Sequence, residues 1–196
     1  MGTDQSQIRM RAEAMPVGAK KCLEIGPGGK GLDGFETVDV VDRKSNTYTA
    51  IWGESPLPIE QGIYDEVYAS HVLEHVPWFQ TNGAIRDVFR ILKPGGVFEV
   101  WVPDFLYIVN CYRDGSCGDK WRKHNSNADP MMWVNGRIFT YGPNDPNWHR
   151  ACFDEAHLGR CLEAAGFVEV NRLARRQRGT SHGPIDLGMQ ATKPIR

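Results

Sequence analysis

A chain of 196 residues, 41% hydrophobic and with a net charge of −1, has the size of one α/β domain and enough apolar material for a sizeable core. The near-zero charge argues against a general nucleic-acid binder, whose footprint is strongly basic, and no apolar run approaches the roughly 18 residues of a membrane span. The polar start, Met1 to Arg11, lacks the apolar region of a secretory signal, so a cytoplasmic protein is expected. Met1-Gly2-Thr3-Asp4-Gln5-Ser6 fits the loose myristoylation pattern, a match that short patterns reach by chance. The five cysteines (Cys22, Cys111, Cys117, Cys152 and Cys161) contain no CxxC pair, which suits reduced thiols and offers no zinc framework.

In chain order, residues 1–19 read as a polar lead-in and 20–25 as a first buried strand. The strand ends in Leu23-Glu24-Ile25-Gly26-Pro27-Gly28-Gly29. Glycines there let the backbone approach a ligand with no Cβ in the way, as a nucleotide-like cofactor over a parallel strand end requires. Phe35 to Val40 reads as the next strand. Asp39 lies only 13 residues after Gly26, too few for a normal strand–helix–strand crossover, so the helix after strand one is expected to be shortened or missing. Residues 43–62 read as irregular. Ile63 to Ala69 is a strand, and Asn82 to Leu92 a helix with Ala84, Ile85, Val88, Phe89 and Leu92 at 3/4 spacing. Lys93-Pro94-Gly95-Gly96 ends that helix, and Val97 to Val102 is a further buried strand.

Residues 104–150 mix Tyr107, Tyr112, Trp121, Trp133, Phe139, Tyr141 and Trp148 with Asn, Asp, Gly and Pro. A long irregular, aromatic-rich segment in a compact domain reads as a lid or binding insert. Asp154 to Ala165 is a helix stopped by Gly166, and Phe167 to Leu173 and Ile185 to Ala191 form a closing hairpin with its turn at Gly179 to Pro184. Arg172, Arg175, Arg176 and Arg178 on that hairpin suit a charged, solvated sheet edge. The order implies a single α/β domain over 1–196, mostly parallel with an antiparallel C-terminal hairpin.

Competing motifs fit less well. Gly26-x-Gly28-x-x-Gly31 satisfies the dinucleotide fingerprint, but Asp39 follows too soon and leaves no room for the helix that holds a pyrophosphate. His71-x-x-Glu74-His75 matches the inverted zinc-protease motif, which needs a helix and a third ligand; no metal site is expected. No Gly-Lys-Ser/Thr follows Gly31 to Gly34, so a P-loop is absent.

From about Lys21 to Phe167 the chain resembles the class I S-adenosylmethionine (SAM)-dependent methyltransferases. It is most similar to the small bacterial and phage members with a Ser-His-x-Leu-Glu-His stretch, often associated with glycans. Leu23 to Gly29, Gly34 to Asp39, Tyr64 to Val76, Val88 to Pro103 and Phe153 to Phe167 carry the resemblance, in order. The resemblance implies a Rossmann-like sheet and SAM as cofactor. It also implies that Glu24 approaches the methionine amine, that Gly26 and Gly28 form the cofactor turn, and that Asp39 takes both ribose hydroxyls, a diol suiting a two-oxygen carboxylate. Ser70 and His71 would lie beneath the sulfonium. Lys30 replaces the usual third glycine, and Ala50-Ile51-Trp52-Gly53-Glu54 stands where many members carry an acid near adenine; Ile51 and Trp52 are the expected adenine contacts.

The expected reaction is methyl transfer to an oxygen or nitrogen of a small molecule, sugar or glycan, with no nucleic-acid or membrane partner. The protein's main task is then alignment. A hydroxyl acceptor also needs a base, for which His71, His75 and His149 are the candidates, with Asp104 behind them. The alternatives are a catalytically silent SAM-binding protein, whose acceptor pocket the insert would fill, and an NAD(P)-dependent oxidoreductase.

Overall fold

The computed structural model describes residues 20–116, 129–174, 177–179 and 181–195. The lead-in with its myristoylation-like start, Cys117, Trp121, Arg175 and Arg176 lie outside them.

Seven strands form one sheet: β1 (Cys22–Ile25), β2 (Phe35–Asp39), β3 (Tyr48–Thr49), β4 (Tyr64–Ser70), β5 (Leu92–Pro103), β6 (Val168–Arg172) and β7 (Asp186–Thr192). Their order is β3-β2-β1-β4-β5-β7-β6. The first five run parallel, and β7 lies antiparallel between β5 and β6. The chain winds outward from β1 through β2 to β3, then returns to β4 on the other side of β1. A crevice opens at that reversal, beyond the carboxyl ends of β1 and β4, and ligands of such sheets bind there.

The first crossover carries no helix: residues 26–34 form a loop, fastened where the Gly26 amide donates to Val38 O (2.8 Å) and the Phe35 amide to Leu32 O (3.1 Å). Alternation along the strands sends Leu23, Ile25, Val67, Ala69, Phe98 and Val100 into one core. Helices α1 (Thr81–Ile91) and α4 (Glu155–Ala164) cover it with Ala84, Ile85, Val88, Ile91, Leu158 and Leu162.

The opposite face carries Glu24, Glu66, Tyr68 and Glu99, and here Arg178 departs from a solvated edge, whereas Arg172 stays exposed. Arg178 lies across the sheet, its guanidinium carbon 4.6 Å from the Tyr68 ring centre and 5.3 Å from that of Phe35. It donates to Glu99 Oε2 at 2.7 Å and to Glu66 Oε1, while the Tyr68 hydroxyl donates to Arg178 O at 2.6 Å. A buried carboxylate, Glu99, beside a part-buried one, Glu66, needs such a partner. Arg172 donates to Glu155 Oε2 at 2.8 Å and sits 3.5 Å from Asp104.

Three further expectations change. Residues 43–62 contain β3, a two-residue parallel partner of β2 too short to leave a periodic signal. Strand β5 begins at Leu92, because Lys93-Pro94-Gly95-Gly96 is absorbed as an irregularity in the pairing with β4. The insert is not irregular throughout but holds α2 (Phe105–Asp114) and α3 (Pro130–Ile138). Asp104 caps α2 by accepting from the Leu106 and Tyr107 amides (3.0 and 3.3 Å), and Gly115 ends it in the left-handed region. Asp129 caps α3 through the Met131 amide (2.9 Å), with Pro130 in the first turn. Ile108, Cys111, Trp133 and Ile185 form a small second core that pins the insert to the start of β7. Among the described residues, no helix is long and apolar enough to cross a membrane.

Candidate active site

Two regions meet at the crevice. The first is the glycine loop. Gly26 and Gly28 take φ of +66° and +64°, values that an L side chain rarely adopts. A Cβ on Gly26 would lie 2.4 Å from Val72 Cγ2, whereas one on Gly28 would meet nothing within 4 Å, so its backbone is bare. Asp39, at the tip of β2 and 6% exposed, faces this loop. Its Oδ2 accepts from the Gly28 amide (3.2 Å) and from Arg43 Nη1 (3.3 Å), and its Oδ1 from the Val41 amide (3.1 Å). A carboxylate has about four acceptor positions, and the half-exposed Arg43 side chain is the partner a ligand can displace. Glu24 turns inward and accepts from the Leu32 amide at 2.6 Å, fastening the far end of the loop. Burial raises its pKa, opposed by the Leu32 amide and Arg178.

The expected adenine pair is split. Ile51 is 44% exposed. Trp52 is a core residue: its indole N–H donates to Ala84 O at 3.0 Å and its ring meets Phe98 edge-on. It is therefore no wall of an adenine slot. Glu54 is exposed.

The second region is a cavity of about 320 Å³ beside the loop, walled by His71, Glu74 and His75, by Trp133, Arg137 and Tyr141 from the insert, and by His149 and His182. Ser70 ends β4. His71 follows it with φ +53°, its amide donating to Trp101 O at 2.8 Å. Val72, seated against Gly26, joins the two regions. Leu73–His75 then make one 3₁₀ turn. The insert is tied to this turn by the Arg150 and Ala151 amides, which donate to Glu74 O at 2.7 and 3.1 Å.

His71 lies between two carboxylates, Nδ1 3.2 Å from Glu74 Oε1 and Nε2 3.1 Å from Asp186 Oδ1. Burial would lower its pKa, but the two acids outweigh burial and raise it to about 9. Glu74 is 1% exposed; burial works to raise its pKa, and His71 more than reverses that. The Asp186 carboxyl is likewise lowered, burial being outweighed by His71 and Ser181. His75 is held at both nitrogens by carbonyls, Nδ1 by Trp148 O (3.2 Å) and Nε2 by His71 O (3.1 Å). His149 faces Arg137 O through Nδ1 (3.1 Å), leaving Nε2 towards the cavity, 3.9 Å from Glu74 Oε1. Burial and the nearby His75 push its pKa down to about 4 against the pull of Glu74.

The structure thus gathers His71, His75 and His149 in one cavity and removes Asp104, which caps α2. Sequence reasoning passed over Glu74 as a participant, and also His182 and Asp186. The signal was a Ser-His before the last strand, in a stretch read only as a turn.

The chain matches a family profile described as a methyltransferase domain over residues 7–171. A 45-residue stretch is 42% identical to the sterol 24-C-methyltransferase erg6 of Schizosaccharomyces pombe, covering 23% of this chain and 11% of that protein. Among solved structures, a SAM-dependent methyltransferase from Methanosarcina mazei aligns at TM-score 0.56 and 16% identity, over 90% of this chain and 93% of that one. A SAM-dependent methyltransferase, possible histamine N-methyltransferase, from Thermotoga maritima aligns at TM-score 0.54 and 18% identity, over 92% and 84%. At such identities the likeness to the solved structures is one of fold.

Proposed function

The chain belongs to the methyltransferase-domain family, and on that premise we propose that it transfers a methyl group from SAM to an oxygen or nitrogen of a small acceptor, a sugar or glycan being the favoured class. The observation that carries this reading is the Asp39 carboxylate 3.2 Å from the bare Gly28 amide at the point where the sheet order reverses. A carboxylate there suits a ribose diol, and a turn without Cβ atoms suits a cofactor lying flat on the backbone. SAM supplies an already activated methyl on a sulfonium. The chain's own work is therefore binding and alignment.

Asp39 takes the ribose, with Arg43 giving way. Glu24 sets the loop and meets the amine end, and Gly26 and Gly28 give close approach. Ile51 covers the adenine. Ser70 and His71 lie below the sulfonium. The acceptor occupies the cavity, and α2, α3 and the residues to 150 serve as the lid that excludes water. The acceptor's lone pair forms the new bond to the methyl carbon as the carbon–sulfur bond breaks, and its proton leaves by the polar groups of the cavity wall to water. Trp133 and Tyr141 offer ring faces of the kind that stack on sugar C–H surfaces, beside the polar Thr140 and Asn147. A silent protein would have this cavity filled, but about 320 Å³ stands open. A nicotinamide enzyme would need the helix that the 26–34 loop replaces.

Thermal denaturation with S-adenosylhomocysteine or NAD tests the reading. At a hundredfold excess over its Kd, S-adenosylhomocysteine should stabilise the fold by about 2.7 kcal/mol, and NAD should leave it unchanged. The reverse pattern would sink the reading.

A further inference from the structure

We propose that Glu74, His75 and His149 form a binding site for one divalent transition cation of the zinc class. The three side chains offer ligand atoms that all lie within 4.8 Å of one another. They come from a short 3₁₀ turn and from the insert, which the Arg150 and Ala151 amides lock onto that turn.

Electron pairs that lack donors mark the site. Glu74 is 1% exposed, and its Oε2 has no hydrogen-bond partner. A carboxylate oxygen sealed from water without a donor carries the full cost of lost solvation, so this atom points to a missing positive ligand. His149 faces a carbonyl through Nδ1. A carbonyl only accepts, so that nitrogen bears the hydrogen, and the neutral ring turns a bare Nε2 towards Glu74. A histidine fixed by one nitrogen on a backbone carbonyl, with the other free, has the arrangement of a metal ligand. His75 has carbonyls at both nitrogens. Its neutral ring donates from only one, and the other sets a lone pair against a carbonyl oxygen. Glu74 Oε2 and the His149 Nε2 lone pair therefore lack a hydrogen, and His75 supplies the third ligand atom once its lone pair turns from the carbonyl.

Two imidazoles and one carboxylate suit zinc, nickel or iron(II) rather than magnesium or calcium, which take all-oxygen sets. Metal–nitrogen distances of about 2.0–2.1 Å require the ligand atoms to draw in by roughly an ångström. Three protein ligands leave positions open to the cavity. On the methyltransferase reading, from which this role follows, those positions take the acceptor's oxygen or nitrogen and fix its direction of approach. The neighbouring group His71, His182 and Asp186 also lies within 4.8 Å, but His71 and Asp186 already satisfy one another, so it is not the site proposed.

The test uses the full chain stripped with EDTA and titrated with zinc chloride, then with magnesium chloride, by calorimetry. S-adenosylhomocysteine binding is measured in parallel. One equivalent of zinc should bind and magnesium should not. Glu74→Gln and His149→Ala should each weaken zinc at least about tenfold while leaving S-adenosylhomocysteine affinity as it was, which also shows that the variants fold. Should Glu74→Gln fail to fold, cobalt(II) gives a second readout: its visible ligand-field spectrum should appear in the parent chain and vanish in His149→Ala. Absence of zinc binding overturns the site. So does zinc binding untouched by either substitution, or weakened only by His182→Ala and Asp186→Asn. Zinc binding without S-adenosylhomocysteine binding would keep the site and remove the methyltransferase reading instead.

Discussion

The glycine loop and the cavity lie side by side, yet they are built in opposite ways. Glu24, Gly26, Gly28 and Asp39 fall within one strand–loop–strand unit, and what they present is mostly backbone: two positive-φ glycines and amides that hold a carboxylate. The cavity is assembled from three distant segments, with His71 and Asp186 in contact across 115 positions of sequence. What it presents is side-chain chemistry. On the proposed roles, a backbone-built cofactor region tolerates little change at its glycines and its acid, and a side-chain-built acceptor region can alter its substrate without disturbing the loop. The division of labour predicts that substitutions on the two sides will separate into effects on cofactor affinity and effects on turnover.

The largest expected effect breaks the first side. Asp39→Ala removes the proposed ribose contacts, each a charge-assisted hydrogen bond of about 1.5–3 kcal/mol, so S-adenosylhomocysteine affinity should fall roughly a hundredfold or more. The Gly28 and Val41 amides also lose their acceptor, which should lower the melting temperature without abolishing the fold. Unchanged affinity in calorimetry would shift the ribose role to Asp42. A smaller effect separates the two constraints on Gly26. Gly26→Ala forces an L residue to φ +66° and drives its Cβ to 2.4 Å from Val72 Cγ2. The left-handed conformation alone costs about 1–2 kcal/mol, and the collision adds to it. In a Val72→Ala background the nearest atom is Val72 Cβ at 3.3 Å, so the collision should ease while the conformational cost remains, and the double variant should regain part of the lost stability. If it regains none, the collision is not what Gly26 avoids.

The same contrast explains how much was legible in the sequence. The loop and the missing helix followed from spacing, because 13 residues cannot hold a helix and still return a parallel strand; the place of Asp39 beside the loop followed from the family resemblance. Where a residue's neighbours are remote, spacing is silent. Trp52 looked like an adenine contact because its segment stands where the resembling family has its adenine-side residues; its partner is Ala84 O on a helix 32 residues away. Arg178 looked like an edge charge, and Glu66 and Glu99, the acids that draw it across the sheet, are 112 and 79 positions off. The insert's helices were hidden for a different reason. Their signals are the capping Asp104 and Asp129 and the leading Pro130, which in an aromatic, Asn- and Gly-rich segment also read as loop residues. The inverted zinc motif needs a helix and a third ligand, and in the sequence it follows directly on a strand with no third ligand in sight. The residue now proposed for that role, His149, lies 74 positions beyond His75 in the segment that was hardest to read.

The smallest expected effect sits where the two sides join. His75 fastens the 3₁₀ turn to the insert through Trp148 O and to its own strand end through His71 O. The neutral ring donates to only one of these carbonyls, so one hydrogen bond of about 0.5–1.5 kcal/mol sets the scale of the stability lost in His75→Ala. Neither contact touches the glycine loop, so S-adenosylhomocysteine affinity should hold. The alignment of Glu74 and His149 depends on the same turn, so turnover should fall by more than affinity does. If stability falls and turnover stays normal, His75 is only a tie for the lid. If affinity and turnover fall together, the turn and the loop move as one body through Val72, and the separation between the two sides is lost.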